Sequence, residues 1–343
     1  MRVMLTGATG FVGYHTTMAL LEAGHEVSLL VRSVDKMIDI YGADTIGYFT
    51  RGDICDPASV RAAVDGCDAV VHAAAMVSVD PRDAERVYRS NVEGTRNVIG
   101  AALDAGAGTI VYVSSVTALF DPRASVLNEQ SPPGRARNAY GRSKVECEHF
   151  VRRLQASGAP LYVTYPASII GPRDPGLTEP HVGLRAFLTV GGVPLLPTGN
   201  QWVDVRDVAA AHLRLLEQPP EARRFTLGGH YLAWRELAAE LEAITGRRLL
   251  KFPMSGVAMR LAGAALDLVR SRVPVDVDVD VPVTREAMEY ATRWVPMDNT
   301  LAEQTLDLTF RPVRESLREA IRWLYRAGHI SRRQAGGALD GED

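Results

Sequence analysis

The chain contains 343 residues, of which 46% are hydrophobic and 23% are charged, and its formal net charge is −3. This length and composition predict one large globular domain with a sizeable core, plus a smaller lobe. No basic run is interleaved with aromatic residues, which argues against nucleic-acid binding. The three cysteines (Cys55, Cys67, Cys147) have neither disulfide nor metal-ligand spacing. We therefore expect no metal and a reducing, cytoplasmic location.

The first half of the chain alternates short β-rich runs with helical patterns. Such alternation predicts right-handed crossovers and a doubly wound, parallel α/β sheet. The predicted strands cover residues 3–6, 27–31, 47–51, 69–72, 110–114 and 161–164. The predicted helices cover residues 12–23, 57–64, 82–103 and 139–155. No signal-peptide pattern precedes the first strand.

Beyond residue 170 the pattern loosens, because prolines and glycines cluster at residues 171–176 and 191–199. Two later segments, 234–245 and 315–327, predict helices. We therefore expect a first domain over residues 1–170, to which part of 199–228 returns, and a smaller, mostly helical lobe over 171–335. Residues 276–280 alternate Asp and Val, which is typical of an edge strand or a mobile loop, and residues 336–343 predict a disordered tail.

Residues 256–269 form the most apolar segment of the second half. Arg260 and Asp267 interrupt it, so it is not a membrane span. We expect an amphipathic surface helix packed on the core. The alternatives are a helix that lies on a membrane surface, or one that shields an apolar substrate entrance.

A glycine-rich turn follows the first strand and begins the first helix. Its sequence, Thr6-Gly7-Ala8-Thr9-Gly10-Phe11-Val12-Gly13, spaces three glycines evenly. Such glycines allow a tight turn, close approach of backbone N–H groups to a pyrophosphate, and close packing of helix on strand. The predicted dinucleotide contacts in this turn are Gly7, Thr9, Gly10, Phe11, Val12 and Gly13.

The end of the second strand indicates which dinucleotide binds. NAD sites usually place a carboxylate there to accept the ribose 2′-hydroxyl, whereas this chain has Val31 followed by Arg32. The planar arginine fork can pair with a 2′-phosphate, and Lys36 lies close enough to assist. We therefore expect NADP(H) to be preferred over NAD(H), with a solvated surface arginine as the alternative. Asp53 and Ile54 follow the third strand, where the aspartate either reaches the adenine amino group or is a plain loop residue.

Tyr140 and Lys144 lie four residues apart near the start of a predicted helix, so their side chains share one face. A free tyrosine has a pKa of about 10, too high for proton transfer at neutral pH. A nearby lysine charge, with an adjacent nicotinamide cation, favours the phenolate. Ser114 and Ser115 end an earlier strand at the sheet edge where ligands bind, and a hydroxyl there can orient a carbonyl. This combination predicts an active site.

Several motifs follow one another in a fixed order: residues 6–13, residues 91–98, Ser114-Ser115, Tyr140 with Lys144, and residues 166–172. Together they resemble the extended short-chain dehydrogenase/reductase family, and residues 202–208 resemble the signature of that family's second lobe. The resemblance covers most of the chain. It implies a Rossmann-like dinucleotide-binding domain followed by a substrate-binding lobe.

The resemblance also implies roles for individual residues. Tyr140 becomes the general acid/base, Lys144 the partner that lowers its pKa, and Ser115, rather than Ser114, the hydroxyl that orients the substrate. Asn91, expected at the head of its helix, supports the site or caps the helix. His72 is expected to be structural. Further expected cofactor contacts are Ala73, Ala74, Ala75, Val113, Tyr140, Lys144, Pro166 and Ile169. The expected substrate contacts, which core packing explains nearly as well, are Met76, Ser78, Thr117 and Phe187.

Departures from nucleotide-sugar epimerases and dehydratases narrow the expected function. Val31 replaces the carboxylate, an Arg-Asp pair is missing before Trp202, and Tyr165-Pro166 replaces an Arg-Pro pair. The Val-Arg ending resembles dihydroflavonol 4-reductases. We therefore expect an NADPH-dependent reductase of a small to medium apolar ketone or aldehyde, or the reverse dehydrogenase, acting as a monomer or homodimer. The alternatives are 3β-hydroxysteroid dehydrogenase-like activity, nucleotide-sugar epimerase or dehydratase activity, and a noncatalytic NADP-binding sensor.

Overall fold

A computed structural model describes residues 1–78, 81–270 and 285–341 of the chain. The segment 276–280, predicted as an edge strand or loop, lies outside these residues. The strands are β1 (Arg2–Thr6), β2 (Glu26–Val31), β3 (Tyr48–Arg51), β4 (Ala69–His72), β5 (Thr109–Val113), β6 (Leu161–Pro166), β7 (Ser168–Ile170), β8 (Gly192–Leu195), β9 (Gly199–Asp204), β10 (Arg224–Leu227), β11 (His230–Ala233) and β12 (Leu250–Pro253).

The helices alternate with the strands in the first half and dominate the second. They are α1 (Phe11–Glu22), α2 (Val34–Tyr41), α3 (Pro57–Val64), α4 (Ala84–Asp104), α5 (Ala139–Ala156), α6 (Glu179–Val190), α7 (Val205–Glu217), α8 (Trp234–Thr245), α9 (Gly256–Arg270), α10 (Arg285–Arg293), α11 (Thr300–Thr305), α12 (Val313–Arg326) and α13 (Arg332–Ala335).

A seven-stranded parallel sheet forms the first domain, in the order β10-β6-β5-β4-β1-β2-β3. Its inner strands are near-continuous apolar runs because helices cover both faces. Helices α3, α4 and α5 pack on one face, and α1, α2, α7 and α11 on the other. The predicted doubly wound, Rossmann-like α/β fold is therefore confirmed.

The sheet register places the functional strand ends on one edge. Thr6 pairs with His72, and His72 pairs with Tyr112. Val113 in turn pairs with Thr164. Because all these strands are parallel, the residues that follow them emerge on the same side, where open α/β sheets bind ligands.

The second lobe has its own core, built from α6, α8 and α12. Two small sheets, β11-β9-β7 and β12-β8, accompany these helices and were not predicted from the sequence. Strand β10 returns to the large sheet beside β6, and α7 packs against α1. The chain thus crosses between the two cores more than once.

Helix α2 and the last described residues also differ from the sequence-based expectation. Helix α2 was not predicted, and Ser33 caps it by accepting a hydrogen bond from the Lys36 amide. Residues 336–339, expected to be disordered, form a 3-10 helix in which Ala338 is fully buried. Arg322 holds this segment by donating to the carbonyl oxygens of Ala338 and Asp340. Packing against α8 and α12 outweighs the glycine-rich composition.

Candidate active site

The glycine turn packs directly on the segment that follows β4. Gly7 has φ +78°, and a Cβ at this position would lie 2.6 Å from the Ala74 nitrogen. A Cβ at Gly13 would lie 2.1 Å from the Gly7 carbonyl oxygen. A Cβ at Gly10 would meet only that same oxygen, at 3.3 Å. Gly7 and Gly13 are therefore required by the fold itself, whereas the outer side of Gly10 is left open for a ligand.

Tyr41, at the end of α2, supports this turn from outside. Its hydroxyl donates to the Ala8 carbonyl oxygen at 2.7 Å, and its ring lies 5.5 Å from that of Tyr14. Burial raises the pKa of Tyr41, so the phenol stays protonated and keeps donating. Sequence reasoning missed this residue because it did not predict α2.

Val31 and Arg32 differ sharply in environment at the end of β2. Val31 is buried, whereas Arg32 is exposed, as is Lys36 in the first turn of α2. Neither the Arg32 guanidinium nor the Lys36 ammonium forms a hydrogen bond or ion pair with the rest of the chain over its described ranges. Two positive charges are therefore available to an anionic group at this strand end.

The loop after β3 is tied to α4. The Asp53 carboxylate accepts from the Cys55 amide at 2.9 Å, which closes a local turn. Ile54 fills the space beside Gly94, where a Cβ would lie 2.4 Å from the Ile54 Cδ1. The Asn97 side chain donates to the Ile54 carbonyl oxygen at 2.9 Å. These contacts fix the position of Asp53 but leave its second carboxylate oxygen outside the turn.

His72 is a structural residue. Its Nδ1 lies 2.7 Å from the Thr6 hydroxyl, and its Nε2 lies 3.1 Å from the Thr95 hydroxyl. Burial, helped by the charge of Lys144, lowers the pKa of His72 to about 3. The neutral ring therefore joins β1, β4 and α4. The Thr6 hydroxyl in turn accepts a hydrogen bond from the Ala74 amide, which fixes the segment after β4.

Lys144 is buried at the carboxyl end of β5. Its Nζ donates to the Val113 carbonyl oxygen at 3.2 Å. The same nitrogen lies 5.2 Å from the centre of the Tyr112 ring and 5.9 Å from that of Tyr140. Burial lowers the pKa of Lys144 to about 8, which still leaves the ammonium as the main form at neutral pH. The Lys144 ammonium and the Tyr140 ring therefore lie near one another at the carboxyl end of β5.

Tyr140 lies in the first turn of α5 and is half-buried. The Asn138 side chain begins this helix by accepting from the Gly141 amide at 2.6 Å. The Ser143 hydroxyl donates to the Tyr140 carbonyl oxygen, also at 2.6 Å. The capped helix start therefore fixes the backbone from which the phenol projects.

The two serines after β5 are in different environments. Ser115 is half-buried, donates to the Thr117 hydroxyl at 3.1 Å and begins a 3-10 turn over residues 116–118. Ser114 is buried, and its hydroxyl has no hydrogen-bond partner in the described part of the chain. The accessible hydroxyl is that of Ser115, the serine selected from the sequence.

The position of Asn91 corrects the expectation that it starts or caps its helix. It lies in the middle of α4, which begins at Ala84, and its side chain points to other elements. Its amide contacts Met76 through both polar atoms and donates to the Ser143 hydroxyl at 2.9 Å. Hydrogen bonds therefore connect Met76, through Asn91 and Ser143, to the backbone of Tyr140.

The four expected substrate contacts do not lie together. Thr117 is next to Ser115, and Met76 is joined to Asn91. Ser78 donates to the Asp83 carboxylate at 2.9 Å. Phe187 packs edge-on against Trp234, with 5.9 Å between ring centres, in the core of the second lobe. Phe187 therefore makes the contacts of a residue that packs in the core.

The remaining expected cofactor contacts follow the same sheet edge. Pro166 ends β6, and Ile169 pairs with Val203 in the small sheet. Ala73 and Ala75 flank Ala74 in the turn beneath Gly7. The structure therefore brings the turn, the serines and the tyrosine–lysine pair to one edge.

Sequence reasoning missed a buried histidine–aspartate contact that joins the second lobe to the glycine turn. His181 Nδ1 lies 2.9 Å from the Asp174 carboxylate, and both side chains are fully buried. His181 Nε2 bonds to the Gly171 carbonyl oxygen, and its ring lies 5.2 Å from that of Phe11. An aspartate in a proline- and glycine-rich stretch looks like an ordinary loop residue, so no sequence signal marked this pair.

Comparison with known proteins agrees with this geometry. The model of the NAD dependent epimerase/dehydratase family matches residues 3–228, which is more than half of the chain. The chain belongs to the NAD-dependent epimerase/dehydratase family. Its resemblance to the extended short-chain dehydrogenases/reductases is thereby confirmed.

Several members of this family match the chain over nearly its full length. A putative dihydroflavonol 4-reductase of a Synechocystis strain is 29% identical, over 95% of each chain. Cinnamoyl-CoA reductase 1 of Oryza sativa subsp. japonica is 30% identical, over 96% of this chain and 91% of that protein. The crystal structure of gox2253 is 28% identical and superposes with a TM-score of 0.77, covering 96% of this chain and 99% of that one.

The described part of the chain holds neither a metal-ligand cluster nor a membrane-spanning helix. In residues 1–78, 81–270 and 285–341, no cluster of three or more His, Cys, Asp or Glu side chains is arranged to hold a metal ion. Within those same ranges, no helix combines the length and apolar character needed to cross a bilayer.

Proposed function

We propose that this family member is an NADP(H)-preferring reductase that acts on the carbonyl group of a small to medium apolar ketone or aldehyde, or the corresponding reverse dehydrogenase. The observation that carries the proposal is the buried Lys144 ammonium, which lies 5.9 Å from the centre of the Tyr140 ring at the ligand-binding edge of the sheet. The reductase names of the two curated relatives, similar over more than nine-tenths of this chain, support the reaction type.

The residues at the sheet edge fit a dinucleotide. Gly10 leaves the start of α1 open to a pyrophosphate, and within the described part of the chain the buried Ser114 hydroxyl has no hydrogen-bond partner. Arg32 and Lys36 would hold the 2′-phosphate, because both cations are exposed and follow Val31, which stands where NAD sites place a carboxylate. When bound, the reduced nicotinamide supplies the hydride.

The chain's own residues would supply the proton and the orientation. The Ser115 hydroxyl would donate a hydrogen bond to the substrate carbonyl oxygen, turning away from Thr117. Tyr140 would transfer its phenolic proton to the same oxygen as negative charge develops there. The Lys144 ammonium would stabilise the phenolate left behind, and its bond to the Val113 carbonyl keeps it in place.

The second lobe, taken as residues 171–335, would close over the substrate. Met76 and Thr117 are the expected contacts nearest to this position, because they are linked to Asn91 and Ser115 respectively. Phe187 would act indirectly by packing on Trp234.

The test is the oxidation of NADPH and of NADH, compared across a panel of apolar ketones and aldehydes that includes dihydroflavonols and cinnamoyl thioesters. Turnover of at least one carbonyl compound with NADPH, at a higher kcat/KM than with NADH, is the expected result. Interconversion of nucleotide sugars with no net consumption of NADPH would replace the proposal by an epimerase. Tight NADPH binding with no turnover of either class would replace it by a noncatalytic sensor.

A further inference from the structure

An apolar surface runs along β12 and α9 at the outside of the second lobe. It consists of large side chains that solvent reaches: Leu250, Phe252, Met254, Val257, Leu261 and Leu268. Leu250 is 72% exposed and Leu261 is 66% exposed. Isolated exposed apolar residues are ordinary on protein surfaces, but a continuous group of this kind usually marks a docking site.

Helix α9 presents apolar side chains to solvent as well as to the core, against which Met259 packs. Val257, Leu261 and Leu268 recur at helical spacing and face outward, together with the exposed Ala265. Its charged residues within 257–268, Arg260 and Asp267, are half-buried instead. Arg260 donates to the Thr292 hydroxyl of α10 at 2.7 Å. The outward face of α9 is therefore made of apolar side chains.

Two exposed cations lie beside this face, although the whole chain has a net charge of −3. The other basic side chains of residues 242–268 turn inward, since Arg247 donates to the carbonyl oxygens of Leu188 and Gln334 and Arg260 binds Thr292. Arg248 and Lys251 are exposed beside Leu250, and Lys251 also pairs with Glu242 at 2.6 Å. An apolar face with a basic border complements the acyl chains and headgroups of an anionic lipid layer.

We propose that the surface formed by β12 and the outer face of α9 docks the protein onto an anionic lipid surface. The apolar side chains enter the boundary between headgroups and acyl chains, while Arg248 and Lys251 contact the lipid phosphates. A second copy of the chain fits less well, because a two-fold contact through this surface would bring the two basic borders together. This proposal does not depend on the reaction that the protein catalyses.

Co-sedimentation with vesicles of phosphatidylcholine and phosphatidylglycerol tests the proposal. The native chain is expected to pellet with these vesicles, less at high salt, and to stay in solution with phosphatidylcholine alone. Val257→Ser with Leu261→Ser is expected to weaken binding about tenfold or more, because both side chains lose their apolar contact. Leu268→Ser, at the far end of the helix, is a second variant. Phe49→Ser is the matched control, since Phe49 is 46% exposed on β3, in the other domain.

Each variant is expected to unfold at the same temperature as the native chain, which shows that a loss of binding is not a loss of folding. The proposal is overturned if the native chain stays in solution with the anionic vesicles, or if Val257→Ser with Leu261→Ser pellets as the native chain does. If vesicle binding is absent, light scattering tests the other occupant. A dimer that Val257→Ser with Leu261→Ser dissociates would assign the surface to a second copy of the chain.

Discussion

Asn91 and Met76 are joined by a pair of hydrogen bonds. The Asn91 Oδ1 accepts from the Met76 amide at 2.7 Å, and its Nδ2 donates to the Met76 carbonyl oxygen at 3.0 Å. The same Nδ2 donates to the Ser143 hydroxyl. A single side chain in the middle of α4 therefore fixes both the segment after the alanine turn and the first turns of α5.

Asn91→Ala is expected to lower the free energy of unfolding by about 1–3 kcal/mol, because the amide and carbonyl of Met76 lose their partner. It should also lower kcat/KM, since the segment beside Tyr140, the proposed acid/base, is released. Gln155→Ala is the control. Gln155 bonds to two carbonyl oxygens near the opposite edge of the sheet, one of them that of Leu161 at the start of β6. If both variants lose kcat/KM in the same proportion to their loss of stability, the positioning role of Asn91 is contradicted.

Tyr140→Phe is expected to lower kcat by about 10²–10⁴-fold while the Kd for NADPH stays nearly unchanged, because only the transferable proton is removed. Turnover is measured with the substrate found in the panel, and Kd by quenching of protein fluorescence. Tyr88→Phe is the control, because Tyr88 is 41% exposed on α4. A parallel loss of NADPH binding and turnover in Tyr140→Phe would contradict the acid/base role.

The sequence predicts the first domain well because its signals are local. Each buried parallel strand is a short apolar run, and the glycine spacing is dictated by contacts within one turn, such as that of Gly13 with Gly7. The tyrosine–lysine pair is likewise set by the geometry of a single helix. These features depend on neighbours in the sequence, so periodicity and motif spacing find them.

The features that the sequence did not predict depend on distant partners. Helix α2 is short, and Tyr41 acts through its hydroxyl on Ala8, more than thirty residues earlier. Asn91 looks like a helix cap until its partner Met76 is known. Residues 336–340 are ordered because Arg322 binds the carbonyl groups of Ala338 and Asp340. Tertiary contacts of this kind leave no periodic pattern in the sequence.

Arg32→Ala is expected to weaken NADPH binding by roughly ten- to a hundredfold and NADH binding by much less, because a charge-assisted bond to a phosphate is lost only with NADPH. Lys36→Ala should act in the same direction with a smaller effect. Both Kd values are measured by titration. Arg235→Ala, an exposed arginine of the second lobe, is the matched control. If Arg32→Ala weakens both cofactors equally, the assignment to the 2′-phosphate is wrong.

Gly10→Ala and Gly13→Ala distinguish a glycine that ligand binding requires from one that the packing of the turn requires. A Cβ at Gly13 collides with the Gly7 carbonyl oxygen at 2.1 Å, so this variant should unfold at a much lower temperature, with about 3 kcal/mol or more lost. A Cβ at Gly10 stands 3.3 Å from the same oxygen. Gly10→Ala should therefore keep nearly native stability and lose cofactor affinity. Unchanged NADPH affinity in Gly10→Ala would contradict a phosphate site at this turn.

Lys144→Met tests how much the burial of the Lys144 ammonium lowers the free energy of unfolding. The pKa of Lys144 is lowered from 10.5 to about 8 by burial, so below pH 8 the folded state carries the full cost of the buried ammonium. As the pH rises from 8 to 10.5, the folded state releases its proton before the unfolded state does, and the free energy of unfolding increases. Methionine keeps the length of the side chain without the charge.

At pH 7, Lys144→Met is therefore expected to raise the free energy of unfolding by about 1–3 kcal/mol, while it abolishes turnover. The lower part of that range allows for the lost bond to Val113. This difference from the native chain should shrink between pH 8 and 10.5 and vanish above it. Urea unfolding of the cofactor-free protein at several pH values provides the measurement, with the exposed Lys36→Met as control. A variant less stable than the native chain at pH 7 would show that the bond to Val113 outweighs the cost of burial.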